Sequence, residues 1–200
     1  MFRTLVLLFL FSVSIFSKKE NCDEDGMPCE EGWKLFERPK GGWCMKVFYQ
    51  NNIPHEAAEK QCQEHKATLS GFQDQRESLY VVSTVLEKIY PGTGSVRFGL
   101  KRRKDCYYHA LDENCTALNS FEWTDGFTTG TDGILWDRDQ PDNSWGWAQR
   151  CAMLIVSPGG YSLNSQAGTM DDIQCDFDFV KNKEEERQTR AFVCGKRAAF

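Results

Sequence analysis

Residues Trp136–Asn143 read WDRDQPDN, packing acids, amides, a proline and a tryptophan into one short stretch. Carboxylate and amide oxygens this dense suit one half of a metal site, since hard cations take oxygen ligands. Proline with Asp and Asn is also the chemistry of an ordinary surface turn. Both readings stand until the rest of the chain is read.

The other reactive residues are cysteines and histidines. Cys22, Cys29, Cys44, Cys62, Cys106, Cys115, Cys151, Cys175 and Cys194 make nine. Zinc is one use for them, but no CxxC pair occurs, and His55, His65 and His109 stand at no zinc-type spacing from them. Disulfides are the other use, and they require an oxidising compartment. An odd count leaves one thiol over, and Cys22 in its acidic, polar surroundings is the natural one. It is free to link two chains into a homodimer, to stay capped or to exchange. No catalytic residues are assigned: no nucleophile motif such as GxSxG occurs, and an enzyme is not expected.

The N-terminus agrees with secretion. Arg3 precedes an apolar run, Leu5–Phe16, broken only by Ser12 and Ser14; small Ser17 then precedes KKEN. This is the pattern of a secretory signal peptide over 1–17, and the run is too short to span a membrane. A polar leader over 18–28 follows, then a domain over 29–197. The chain has 200 residues, with 24 Lys+Arg against 29 Asp+Glu. That balance argues against nucleic acid or an anionic membrane surface as partner.

The elements that must position these groups can be read from periodicity. Gly32–Phe36 and Trp43–Tyr49, joined by ERPKGG, read as a strand pair that Cys29 and Cys44 flank. Pro54 opens a helix over His55–His65, with Ala57, Ala58, Cys62 and His65 on one face. Asp74 and Glu77 have capping-box spacing and open a second helix. Its stripe is Leu79, Val82, Leu86 and Ile89, and Pro91-Gly92 stops it. Short apolar runs follow at Val96–Leu100, Phe121–Trp123, Cys151–Val156 and Ala191–Cys194. Asp176 and Asp178 alternate with Phe177 and Phe179 as in a strand with one wet face. Lys101–Lys104 (KRRK) and Lys181–Arg190 read as solvated loops. The class is α+β with large loops. The longest, Gly126–Arg150, holds Trp136, Trp145 and Trp147, so it reads as an ordered loop that builds a site.

The landmarks now fall into an order: Cys29-Glu-Glu-Gly-Trp33, the helix with Cys62, Ala67-Thr-Leu-Ser70, Phe98-Gly-Leu100, Phe121-Glu-Trp-Thr-Asp-Gly126, Gln140-Pro-Asp142, Cys151, Cys175 and Phe192-Val-Cys194. In this order they resemble a C-type lectin-like domain, in its long form, across Cys29–Lys196. The resemblance implies a disulfide-braced double-loop fold with two helices, two small antiparallel sheets and a long ligand-binding loop. It also implies the pairs Cys62–Cys194, Cys151–Cys175 and Cys29–Cys44, leaving Cys106 and Cys115 to close a local loop.

It implies a site as well. Calcium-dependent members of the family hold one calcium on the long loop and bind a sugar through it. Gln140 and Asp142 match a Gln-Pro-Asp triplet, which goes with galactose-type glycans. A cis bond before Pro141, costing about 0.5–1 kcal/mol, lets both neighbours point at one ion. Asp171-Asp172 match the strand pair of ligands, with Asp171 where the family has Asn, and Met170 takes the place of the family's Trp. Gln149 stands where the family has Glu. The metal set is therefore Gln140, Asp142, Gln149, Asp171 and Asp172, three of them carboxylates. The sugar contacts are Gln140, Asp142, Asp171 and one or both of Trp145 and Trp147, with Trp136 a core anchor. The expected function is a secreted, calcium-dependent lectin of innate defence; the rival is a calcium-independent domain binding protein or lipid. Asn114-Cys-Thr116 is an N-glycosylation pattern.

Overall fold

The computed structural model describes residues 28–159, 161, 162 and 165–199. The signal peptide, nearly all of the leader and Cys22 lie outside the described residues. The described strands are β1 (Lys34–Arg38), β2 (Gly41–Tyr49), β3 (Thr68–Leu69), β4 (Gly94–Arg102), β5 (Phe121–Trp123), β6 (Cys151–Val156), β7 (Tyr161–Ser162), β8 (Ser165–Gln166), β9 (Met170–Ile173) and β10 (Thr189–Arg197). The helices are α1 (His55–Glu64), α2 (Gln75–Ile89) and a single turn, α3 (Ser144–Trp147), that the periodicity did not predict.

β1 and β2 form the expected hairpin. β10 then lies between β2 and β4, antiparallel to the first and parallel to the second. Because β4 also pairs with β6, one eight-stranded mixed sheet runs β1-β2-β10-β4-β6-β9, and only β7-β8 stands apart. Four disulfides brace it: Cys29–Cys44, Cys62–Cys194, Cys106–Cys115 and Cys151–Cys175. These are the pairs the resemblance implies. Cys62–Cys194 ties α1 to β10 across 132 residues of sequence, a closure worth roughly 4–5 kcal/mol on the chain-entropy account.

α2 starts where its cap dictates. Asp74 accepts from the amides of Arg76 at 2.9 Å and Glu77 at 3.4 Å. Glu77 bonds back to the amide of Gln73 at 2.7 Å, one residue before the position a capping box would use. Val82, Leu86 and Ile89 of the expected α2 stripe pack on the core, and Leu79 does not. Val81, Val82 and Val85 are buried, whereas Leu79 is 57% exposed. Glu77 and Ser78 are inside as well, Glu77 in a buried ion pair with Arg38 at 2.6 Å. The main core lies between α2 and the sheet around Phe72, Val96, Phe98, Leu100 and Leu154. A second core packs α1 around the Cys62–Cys194 bridge.

A third small core covers the other face of β6 and β9, with Phe177 and Phe179 packed on Met153 and Ile155. Asp176–Phe179 is not a strand. It is a turn segment in which both rings are buried while Asp176 and Asp178 stay exposed. Burial alternates there as the sequence pattern demands, without any ladder. Lys101 and Arg102 are also not loop: they end β4, and Arg102 is buried.

Candidate functional site

The long loop is anchored first at Trp136. Its ring packs on Phe121 at 4.8 Å, and its indole N–H donates to the Ala117 carbonyl at 2.7 Å. The next amide, of Asp137, donates to the Met170 carbonyl at 2.9 Å, which fastens the loop alongside β9. Asp139 and Asn143 take left-handed backbone conformations on either side of a cis Gln140–Pro141 bond. Between them the chain turns back over the end of β9.

The expected ligands are thereby gathered, but into protein contacts. Asp172 is fully buried. Its Oδ2 receives Arg102 Nη2 at 2.5 Å and the Asn143 amide at 2.9 Å, and its Oδ1 receives the Asp142 amide at 3.0 Å. Burial raises its pKa, while Arg102 and the two amides oppose the rise. Asp171 sits opposite Met153 and Asp172 opposite Ala152, so the two acids face opposite sides of the sheet. Asp171 meets a different cation, Arg187, which donates to its Oδ2. Burial pushes Asp171 up to about 7 against the pull of Arg187. Gln149 is buried, donating to the Asp172 carbonyl at 2.7 Å and accepting from Ser144 Oγ at 3.2 Å.

Gln140 and Asp142 are the accessible members. Gln140 is half-buried, and its side-chain oxygen accepts the Asp142 amide at 3.0 Å. Asp142 is exposed, and its Oδ1 accepts the Ser144 amide at 3.0 Å, which opens α3. Trp147, at the end of α3, is 42% exposed. Trp145 shares α3, but its side chain is not among those described.

Calcium asks for about six to eight oxygens around one point. Both Asp172 oxygens and the Gln149 side-chain oxygen already accept hydrogen bonds within the protein, and Asp171 faces away from Asp172. Among these five residues only Asp171 Oδ1 is buried without a hydrogen-bond partner. Among the described residues, no three His, Cys, Asp or Glu side chains are grouped so as to hold a metal ion. As arranged, the donor set does not fit calcium.

The neighbourhood includes an inserted loop closed by Cys106–Cys115. Asn143 Nδ2 donates to the carbonyls of Tyr107 at 2.9 Å and His109 at 3.1 Å, joining that insert to the long loop. Arg150 lies over the Tyr107 ring at 4.4 Å and bonds the Tyr108 hydroxyl at 3.2 Å. Beneath it opens a cleft of about 560 Å³ that Lys101, Tyr107, Arg150, Glu56 and Asp176 line.

The family described as C-type lectin domain-containing protein 141/158 matches this sequence over residues 36–197. The chain belongs to this C-type lectin domain family. The C-type lectin Cal of Crotalus atrox is 30% identical over 145 residues, covering 70% of this chain and 94% of that protein. The C-type lectin LmsL of Lachesis stenophrys is 29% identical over 137 residues, 68% and 85% of the two chains. Among solved structures, the carbohydrate-recognition domain of cow CD23, crystallised in the presence of a GlcNAc2Man3 oligosaccharide, superposes with a TM-score of 0.54 at 18% identity, covering 87% of this chain and 99% of that one. A calcium-independent type II antifreeze protein does so at 0.52 and 19% identity, covering 86% and 96%. At these identities the structures show the fold alone.

In this lectin domain the residues that complete the site are Arg102, Arg187 and Asn143, none of which the sequence reading singled out. A signal for Arg102 was present. Val96, Phe98 and Leu100 are all fully buried, and the two-residue period of a strand carries the same face on to position 102. An inward-facing arginine at a strand end requires a buried partner. No comparable local signal marks Arg187 or Asn143.

Proposed function

We propose that this protein is a secreted recognition domain that binds glycans by direct contact with its long loop, without a bridging calcium ion. The observation that carries this reading is the buried Asp172 carboxylate, both of whose oxygens are engaged, by Arg102 and two loop amides. The contact surface is then what the loop leaves accessible: Gln140, Asp142 and Trp147, flanked by Tyr108, which is 69% exposed. An exposed aromatic ring on the same loop as an accessible carboxylate and amide suits a sugar, whose apolar face stacks while its hydroxyls donate and accept. The N-terminal pattern and the disulfides support secretion; among the described residues no helix is long and apolar enough to cross a membrane. Asn114 is exposed and is the proposed glycosylation site. Recognition of microbial or host glycans in defence is the role this reading gives the protein.

The second reading is calcium-dependent binding of galactose-type glycans. What favours it is the exposed Asp142 beside Gln140, the two accessible residues of the Gln-Pro-Asp triplet. It requires Arg102 to release Asp172 when the ion arrives.

A glycan array probed in calcium and again in chelator separates the two. Equal binding in both supports direct contact. Binding that disappears in chelator supports the calcium reading, with galactose-type hits fixing its specificity. No glycan binding, alongside capture of a protein or lipid, points to a lectin-like domain that has left sugars altogether.

A further inference from the structure

The family's ion and this chain's geometry disagree at a single carboxylate, and the disagreement identifies what builds the loop. Asp172 is held on one side by Arg102 Nη2 at 2.5 Å and on the other by the Asp142 and Asn143 amides at 3.0 and 2.9 Å. The same guanidinium donates through Nε to the Gln149 carbonyl at 2.9 Å, at the far end of the loop. Its flat face lies on the Phe121 ring at 4.6 Å, which fixes its plane. We propose that Arg102 is the positioning residue of the recognition loop: a covalently attached cation that ties β4, β9 and the 142–149 part of the loop together, as a dissociable ion would.

The physical case has three parts. A guanidinium presents several donors in one plane, so a single group can serve the Asp172 carboxylate and a backbone carbonyl together. Each acid of the pair is met by a cation: Asp172 by Arg102, and Asp171 by Arg187, which Glu184 shares. Asp142 is the exposed carboxylate beside them. Reach extends through Asn143, whose amide N–H bonds Asp172 and whose side chain holds the Tyr107 and His109 carbonyls. Arg102 thus supports the Cys106–Cys115 insert as well as the loop. A covalently attached cation cannot be washed out, so the platform stands whether or not calcium is present.

This inference rests on the calcium-free reading above, but its test reads the loop rather than the ligand. The full secreted chain is digested with chymotrypsin, whose targets in the loop include Trp136, Trp145 and Trp147, in calcium and in chelator. Near-UV circular dichroism follows the rest of the fold. Wild type should be cut at one rate in both buffers. Arg102→Gln, which removes the charge, should be cut at least about tenfold faster in both, because cleavage tracks the population of the opened loop. Arg102→Lys keeps the charge and should recover much of the protection. Wild-type protection that collapses in chelator overturns the proposal. So does a folded Arg102→Gln as resistant as wild type, or an Arg102→Lys no better than Arg102→Gln. If Arg102→Gln does not fold, the wild-type comparison and Arg102→Lys decide. Calcium-dependent glycan binding by a loop that stays resistant in chelator would refute the functional reading and leave this one standing.

Discussion

Arg102 on β4 and Asp172 on β9 lie 70 residues apart in sequence and meet at 2.5 Å, with side chains 1% and 0% exposed. A pair this deep is costly to break, since removing one member leaves the other charged and dry. Asp172→Asn should therefore destabilise the fold by about 3–5 kcal/mol. Urea unfolding checks it, and a loss within experimental error would mean the pair does not form in solution.

Asn143 joins two loops with one side chain. Asn143→Ala removes both bonds to the insert and leaves the Tyr107 and His109 carbonyls without those donors. The expected cost is about 1–3 kcal/mol. Hydrogen exchange should rise in the Cys106–Cys115 insert and spare α2. Uniformly faster exchange would instead indicate global destabilisation and count against a local hinge.

His55 gives a pH dependence of known sign. It is buried, and burial, with Lys101 and Arg97 nearby, drops its pKa from 6.5 to about 3. Below pH 6.5 the unfolded chain takes up a proton that the folded chain refuses, so this group lowers stability as pH falls toward 3 and does nothing above 6.5. At pH 5 the effect is about 2 kcal/mol. Comparing urea midpoints at pH 7 and pH 5, His55→Gln should lose less stability on acidification than wild type. Parallel losses would show that His55 is not the group involved.

Gly133 lies where the long loop passes the start of α2. A Cβ built there comes within 1.8 Å of the Phe72 carbonyl oxygen. Backbone cannot yield as a flexible side chain can, so Gly133→Ala should destabilise by about 3 kcal/mol or force the loop off the core. A lowered thermal midpoint with faster loop proteolysis is the expected result.

Asp142→Ala and Trp147→Ala test the contact surface. Both residues are exposed, so stability should change by less than about 1 kcal/mol. Glycan binding should weaken in each. Undiminished binding by both variants would move the ligand elsewhere, with the cleft at Arg150 the next surface to examine.

The parts of this protein that could be read in advance are those with local causes. The Asp74 cap, the periods of α1 and α2 and the β1–β2 hairpin each arise within a few residues. Even so, Leu79, in the expected stripe, is exposed, while Glu77 is buried against Arg38, a partner 39 residues away in sequence. Phe177 and Phe179 were correctly paired with burial and wrongly given a strand, since alternation reports which side chains go in and not whether a ladder forms.

The site divides along the same line. Sequence alone put forward Gln140, Asp142, Gln149, Asp171 and Asp172 as oxygen-bearing residues of one site; the fold brings all but Asp171 around the Asp172 backbone and carboxylate. Sequence also determined the disulfide framework through the family's pattern. Tertiary structure alone decided what those oxygens bind. Arg102 and Arg187 reach their acids from β4 and from the segment before β10, and a two-residue period turns Asp171 and Asp172 to opposite faces of one strand. A row of carboxylates carries the same charge whether a metal or an arginine answers it, and only the folded chain brings the cation into view.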